Sequence, residues 1–98
     1  MIITRYSIYD RKSNSYAPSF EAPNNDVALR MVVSSLSEQS NLVLYPSDYV
    51  LVKLCDFDNE TGETIKYDGS FVKVVAEVNS IINDKFKAFA LDGSFANS

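Results

Sequence analysis

Aromatic and basic side chains alternate over the first sixteen residues, and this pattern is the one in the chain best suited to chemistry. The run reads Arg5-Tyr6-x-x-Tyr9-x-Arg11-Lys12 and closes at Tyr16. Proteins hold single-stranded nucleic acids with this combination, because bases stack on aromatic rings while cations contact phosphates. The pattern predicts a nucleic-acid site formed by five side chains: Arg5, Tyr9, Arg11, Lys12 and Tyr16.

A simpler interpretation assigns the same residues no ligand. Tyr6 would lie in the core, Tyr9 would flank a turn, and the basic side chains would point into solvent. The chain carries a formal charge of −4, which disfavours nucleic-acid binding by the surface as a whole. Because the basic cluster is small beside the charge that such grooves need, the residues alone favour this simpler interpretation.

Other reactive groups are scarce. The chain has no histidine and one cysteine, so a Ser–His or Cys–His pair and a His-ligated zinc site are excluded. Cys55 falls in a strand pattern, which is typical of a buried and inert thiol. We therefore expect no enzymatic activity, no cofactor and no small-molecule substrate.

The acidic run Asp56-x-Asp58-x-Glu60 resembles the start of a calcium loop. That loop needs glycine at its sixth position and glutamate at its twelfth, where this chain has Thr61 and Tyr67. The run is better explained as a solvated turn, and we expect no metal site.

The acidic turn belongs to the clearest structural element, a β-hairpin over residues 49–67. Residues 49–57 are rich in β-branched and aromatic side chains, and 63–67 form the returning strand. A loop over 59–62 sets Asp58 opposite Glu63 and Asp56 opposite Ile65. Gly62 then takes the left-handed conformation that closes such loops.

Alternation along this hairpin predicts two apolar faces. The core face holds Val50, Val52, Leu54, Ile65 and Tyr67. The second face is too apolar for solvent, so either the C-terminal segment or a second copy of the chain must cover it. A second copy predicts a homodimer whose interface is formed by Tyr49, Leu51, Cys55 and Phe57.

The remaining elements complete a predicted α+β fold, with a small antiparallel sheet of two hairpins. Strands are expected over 2–9 and 16–20, the second at an edge because Pro18 cannot donate a ladder bond. A helix over 25–38, capped by Asn24 or Asn25, packs on the sheet. Helical spacing over residues 71–89 predicts a C-terminal helix, although 71–75 (FVKVV) would also make a strand.

Length and hydropathy bound the organisation. We expect one domain over residues 1–90 and a frayed tail over 91–98. The chain has neither an apolar run of about 18 residues nor a signal-peptide pattern, so no membrane partner is expected.

Several motifs resemble one family, the small nonstructural protein of gokushoviruses, which are single-stranded-DNA phages of the Microviridae. In chain order they are Tyr6-x-Ile8-Tyr9-Asp10, Phe20-x-Ala22-x-Asn24, Ala28-x-Arg30, Pro46-x-Asp48-Tyr49 and Asp56-Phe57-Asp58-x-x-Thr61-Gly62. The resemblance covers about residues 5–65. It implies a nonstructural protein of the infected bacterial cytoplasm, with a role between genome replication and packaging, and it supplies no catalytic residues.

Two functions from different classes follow. In the first, the protein is accessory to single-stranded-DNA replication or packaging and contacts the DNA or the phage proteins of that process. In the second, it is a dimeric interaction module that binds a host or phage protein without touching DNA. The negative charge favours the second, while the resemblance and the Arg/Tyr run favour the first.

Overall fold

The computed structural model describes residues 1–37, 39–67 and 72–82, and it has the predicted α+β fold. Its elements are β1 (Ile2–Asp10), β2 (Ser15–Tyr16), β3 (Phe20–Ala22), α1 (Asn25–Ser35), α2 (Asn41–Leu44), a 3₁₀ turn (Pro46–Asp48), β4 (Tyr49–Asp58), β5 (Thr64–Ile65) and β6 (Lys73–Glu77). Residues 78–82 are helical. No helix in these ranges is long and apolar enough to span a bilayer.

Two long antiparallel strands, β1 and β4, form the middle of the sheet. Their ladder runs from Ile2 opposite Asp58 to Asp10 opposite Tyr49. The free edge of β1 is shared by β2 and β3, and that of β4 by β5 and β6. The predicted strand over 16–20 is therefore wrong in its bounds: it is two short edge strands, interrupted at Pro18.

The hairpin that joins β4 to β5 has the predicted register. Asp56 lies opposite Ile65, and the Asp58 amide donates to the Glu63 carbonyl at 2.9 Å. Gly62 has a φ of +81°, so it takes the left-handed conformation expected of it. An Asp58 carboxylate oxygen accepts the Glu60 amide at 2.9 Å, which holds the loop from inside.

α1 is capped by Asn24, whose side-chain oxygen accepts the Val27 amide at 2.9 Å. The helix ends at Ser35, short of the predicted residue 38. The hydroxyls of Ser34 and Ser35 bond back to carbonyls in the preceding turn, an arrangement that disfavours continuation of a helix. Its buried residues, Ala28 and Val32, join the main core.

That core lies between α1 and one face of the sheet. It contains Tyr6, Ala22, Ala28, Val32, Leu51 and Ile81. Ser7 is fully buried on the adjacent position of β1, and its hydroxyl donates to the Ala17 carbonyl at 2.6 Å. The buried hydroxyl thus ties the chain between β2 and β3 to the central strand.

The prediction of a helix over 71–89 is wrong for its first part. Residues 73–77 form β6, which pairs with β4, and helix begins only at residue 78. A bulge lets Val75 and Ala76 both pack against the core. The rest of that prediction and the predicted tail over 91–98 lie outside the described residues.

A second bulge overturns the predicted faces of β4. Tyr6 lies opposite Lys53 and Arg5 opposite Cys55, which leaves Leu54 as the extra residue. Leu51 faces α1 and is fully buried, while Val50 and Val52 point to the opposite face and are also buried. Over residues 50–52, both faces of β4 are therefore interior.

Burial of Val52 gives the first stability prediction. Val52→Asp should lower the free energy of unfolding by several kcal/mol, because the carboxylate would have no partner in an apolar site. Val74 pairs with Val52 across the strands but is exposed, so Val74→Asp is the matched control and should cost far less. Urea unfolding of both variants measures the difference, and equal losses would contradict this description of the core.

The conformation of Gly62 gives the second stability prediction. Gly62→Val should destabilise by roughly 1 kcal/mol or more, because β-branched residues fit positive φ poorly. A side chain there would meet no atom within 4 Å, so the loss would come from the backbone alone. Gly62→Asn should be milder, since asparagine tolerates this region. A urea midpoint equal for the two variants would contradict the assignment.

Candidate nucleic-acid interface

Two tyrosines form the centre of the predicted site. Tyr9 on β1 pairs with Tyr16 on β2, and their ring centroids lie 4.7 Å apart at an angle of 51°. Tyr16 is 49% exposed, whereas Tyr9 is partly covered. A tilted pair with one accessible ring offers a surface on which a planar base can stack.

The loop between β1 and β2 holds this pair in place. The Tyr9 hydroxyl donates to the Asn14 side-chain oxygen at 3.1 Å, and Asn14 has a φ of 56°. The Asp10 carboxylate accepts the Lys12 amide at 2.9 Å, which lowers the pKa of Asp10. The Lys12 side chain is exposed and forms no ion pair with any residue that the structure describes. It is therefore available to an anion at the loop that joins the strands of the two tyrosines.

Arg11 is engaged within the protein. Its guanidinium donates to the Ser47 carbonyl at 3.0 Å and to the Glu77 carboxylate at 2.5 Å. The hydrogen bond between them raises the pKa of Arg11 and lowers that of Glu77. Arg11 thus connects the β1–β2 loop to β6, and its charge is already balanced.

Arg5 and Tyr6 fit the simpler interpretation. Arg5 pairs with Glu21 at 3.3 Å, and its guanidinium lies 4.6 Å from the centroid of the Phe57 ring. Tyr6 is buried, and its hydroxyl donates to the Asn25 side chain at 2.8 Å. Of the predicted nucleic-acid residues, the structure brings Tyr9 and Tyr16 into contact and places Lys12 in the loop between their strands. Arg11, in the same loop, and Arg5, farther along β1, are engaged in ion pairs.

The predicted dimer residues do not form one surface. Leu51 is fully buried against α1, and the bulge directs Cys55 to the opposite face. Tyr49 and Phe57 are partly buried and are likewise split between the two faces. The single apolar face on which the homodimer prediction depended is thus not present, and its residues Leu51 and Cys55 are buried within one chain.

The acidic side chains of the hairpin contact protein groups. Asp58 accepts backbone amides, and Asp56 accepts the Thr4 hydroxyl at 2.9 Å and the Tyr67 hydroxyl at 2.8 Å. Within the described ranges, no three histidine, cysteine, aspartate or glutamate side chains come together as a metal site would require.

One basic cluster was missed by sequence reasoning. Lys53 on β4 lies directly opposite Lys73 on β6, and both ammonium groups approach the Tyr67 ring, at 5.6 and 5.0 Å from its centroid. The sequence signal for this cluster was the strand-like run 71–75 (FVKVV). Only a strand there, and not a helix, places Lys73 opposite Lys53.

The Arg11–Glu77 pair predicts a pH dependence. A carboxylate whose pKa is lowered on folding stabilises the fold above its unfolded pKa, and that contribution is lost as the pH falls through the lower, folded value. Glu77→Gln should therefore narrow the difference in urea midpoint between neutral and acidic pH. Glu63→Gln, which removes a turn carboxylate without a described ion pair, is the control. The effect should be small, because both partners are half-exposed and screened by solvent.

Comparison with known proteins agrees with the resemblance seen in the motifs. A family model described as Phage ORF5 protein matches residues 3–83, which extends the similarity through β6. Protein ORF5 of Chlamydia phage 1 is 28% identical over 87 residues, covering 84% of this chain and 91% of that protein. No solved structure matches. The gokushovirus resemblance is confirmed, and the chain belongs to the Phage ORF5 protein family.

Proposed function

We propose that this phage protein is a non-enzymatic accessory that binds single-stranded DNA in the cytoplasm of the infected bacterium, during genome replication or packaging. The observation that carries the proposal is the Tyr9–Tyr16 ring pair, with the exposed Lys12 in the loop that joins their two strands. The resemblance to phages with single-stranded-DNA genomes supports DNA as the ligand.

The chemistry of the site favours single strands over duplex. A base must be unstacked before it can lie on the accessible ring of Tyr16, and only a single strand offers such bases without the cost of opening a helix. Lys12 would contact a neighbouring phosphate. Because few cations are available, binding should be weak, with a salt slope near −0.7 for each phosphate contact.

A second candidate function is protein binding, and two adjoining apolar grooves favour it. Their volumes are about 270 and 300 Å³, and they share Ile8 and Leu42 in their walls. Met31 and Tyr16 line one groove each and are large exposed side chains. A homodimer or a complex with a host or phage protein would use this surface, since Leu51 is interior.

Titration with fluorescent oligothymidylate tests the DNA proposal. Tyr16→Ala should weaken binding by about 1–3 kcal/mol, the worth of one stacked base. Lys12→Gln should weaken it less and make the salt slope shallower by about 0.7. Anisotropy at low and high salt measures both effects.

The control for lost aromatic surface is Tyr45→Ala, which removes a tyrosine that is 59% exposed and lies outside the ring pair. It should bind oligothymidylate like the parent. Equal losses for Tyr16→Ala and Tyr45→Ala would contradict the site. Absence of any binding at low salt would overturn the DNA proposal and leave protein binding as the function.

A further inference from the structure

Two lysines lie opposite each other across neighbouring strands, an arrangement that costs stability. Lys53 and Lys73 form a cross-strand pair, and like charges directly opposite repel. Neither ammonium forms an ion pair with any residue in the described part of the chain. Attraction to the Tyr67 ring offsets part of the repulsion, since both ammonium groups lie within the range of cation–π contact.

The ring that gathers these lysines is itself held in place. The Tyr67 hydroxyl donates to an Asp56 oxygen at 2.8 Å, and the Thr4 hydroxyl donates to the same oxygen at 2.9 Å. Burial and the Asp56 carboxylate raise the pKa of Tyr67 far above its usual range, so the phenol keeps the proton that makes this bond. The Asp56 carboxylate thus accepts hydrogen bonds from two neutral hydroxyls and forms an ion pair with neither lysine.

The result is a fixed aromatic ring beside two ammonium groups that have no ion-pair partner among the described residues. Lysine ammonium groups are compact point charges that suit phosphate oxygens. A phosphate bound between the two ammonium groups would neutralise the repulsion between Lys53 and Lys73, which the Tyr67 ring offsets only in part.

We propose that Lys53 and Lys73 bind phosphate groups of the single-stranded-DNA backbone, with Tyr67 as the residue that positions them. This inference rests on the function proposed above and adds a second contact to it. Lys53 shares a face of the sheet with Tyr6, whereas Tyr9 points to the other face. The lysine pair is therefore separate from the ring pair and can be tested separately.

The test compares two double variants with the same loss of charge. Lys53→Gln with Lys73→Gln removes the pair, while Arg30→Gln with Lys66→Gln removes two exposed cations that form no described ion pair. The first should make the salt slope of oligothymidylate binding shallower by about 1.4, the value for two contacts on a single strand. The control should leave the slope at the parent value. Lys53→Arg with Lys73→Arg keeps both charges and should retain binding.

Stability separates a binding role from a structural one. If the lysines serve a ligand, Lys53→Gln with Lys73→Gln should unfold at a urea midpoint equal to or above that of the parent, because the repulsion is gone. A lower midpoint together with unchanged DNA binding would overturn the inference and make the cluster structural.

The outcomes also distinguish this inference from the proposed function. If Tyr16→Ala weakens binding and the lysine variant matches its control, the lysine contact is overturned and the DNA function stands. Amide shifts of the parent protein with inorganic phosphate provide a second arm. Shifts at residues 53, 67 and 73 without oligonucleotide binding would overturn DNA as the ligand and identify a site for free phosphate. The absence of both oligonucleotide binding and phosphate-induced shifts would overturn both proposals.

Discussion

The pairing of β1 with β4 is the constraint on which the rest of the structure depends. These two strands provide the long ladder of the sheet, and every other strand attaches to an outer edge of one of them. The bulge at Leu54 divides that ladder into two registers. On one side of it Leu51 faces α1, and on the other Cys55 faces away, so a single extra residue decides which side chains each face presents.

Because the middle of β4 is buried on both faces, the core is built around this strand and the edge strands can be short. Val50, Leu51 and Val52 are all interior, and an apolar strand of this kind must be covered on both sides. β2, β3, β5 and β6 then need only to pair with the edges of the central strands, and all four are two to five residues long. Links distant in sequence secure them, among them Ser7 to Ala17 and Arg11 to Glu77.

The sequence was a reliable guide where structure is local. The hairpin register and the conformation of Gly62 follow from turn chemistry within a few residues, and the Asn24 cap follows from the start of one helix. The bulge at Leu54 has no such marker, because neither glycine nor proline accompanies it. The helix predicted over 71–89 failed at residues 73–77 because a bulged strand followed by a helix also brings apolar residues close together in sequence, as one continuous helix would.

The candidate site was predicted in part for the same reason. Tyr9 and Tyr16 meet because a short hairpin brings them together, whereas the engagement of Arg11 depends on Glu77, 66 residues away. The pairing of Lys53 with Lys73 could not be predicted while residues 73–77 were interpreted as helix, because it depends on β6 being a strand. Long-range partners decide which cations stay available, and composition cannot report them.

Electrostatics sets the kind of DNA binding that such a chain could support. With a net charge of −4 the surface as a whole repels a polyanion, and Arg5 and Arg11 are balanced by glutamates. Within the described residues, attraction would come from the few cations that form no ion pair, which limits the number of phosphates in contact. If the protein binds DNA as proposed, few contacts would give rapid dissociation, and the repulsion elsewhere would oppose coating of the strand. An accessory that acts between replication and packaging would need that behaviour, because the same DNA must then be released to other proteins.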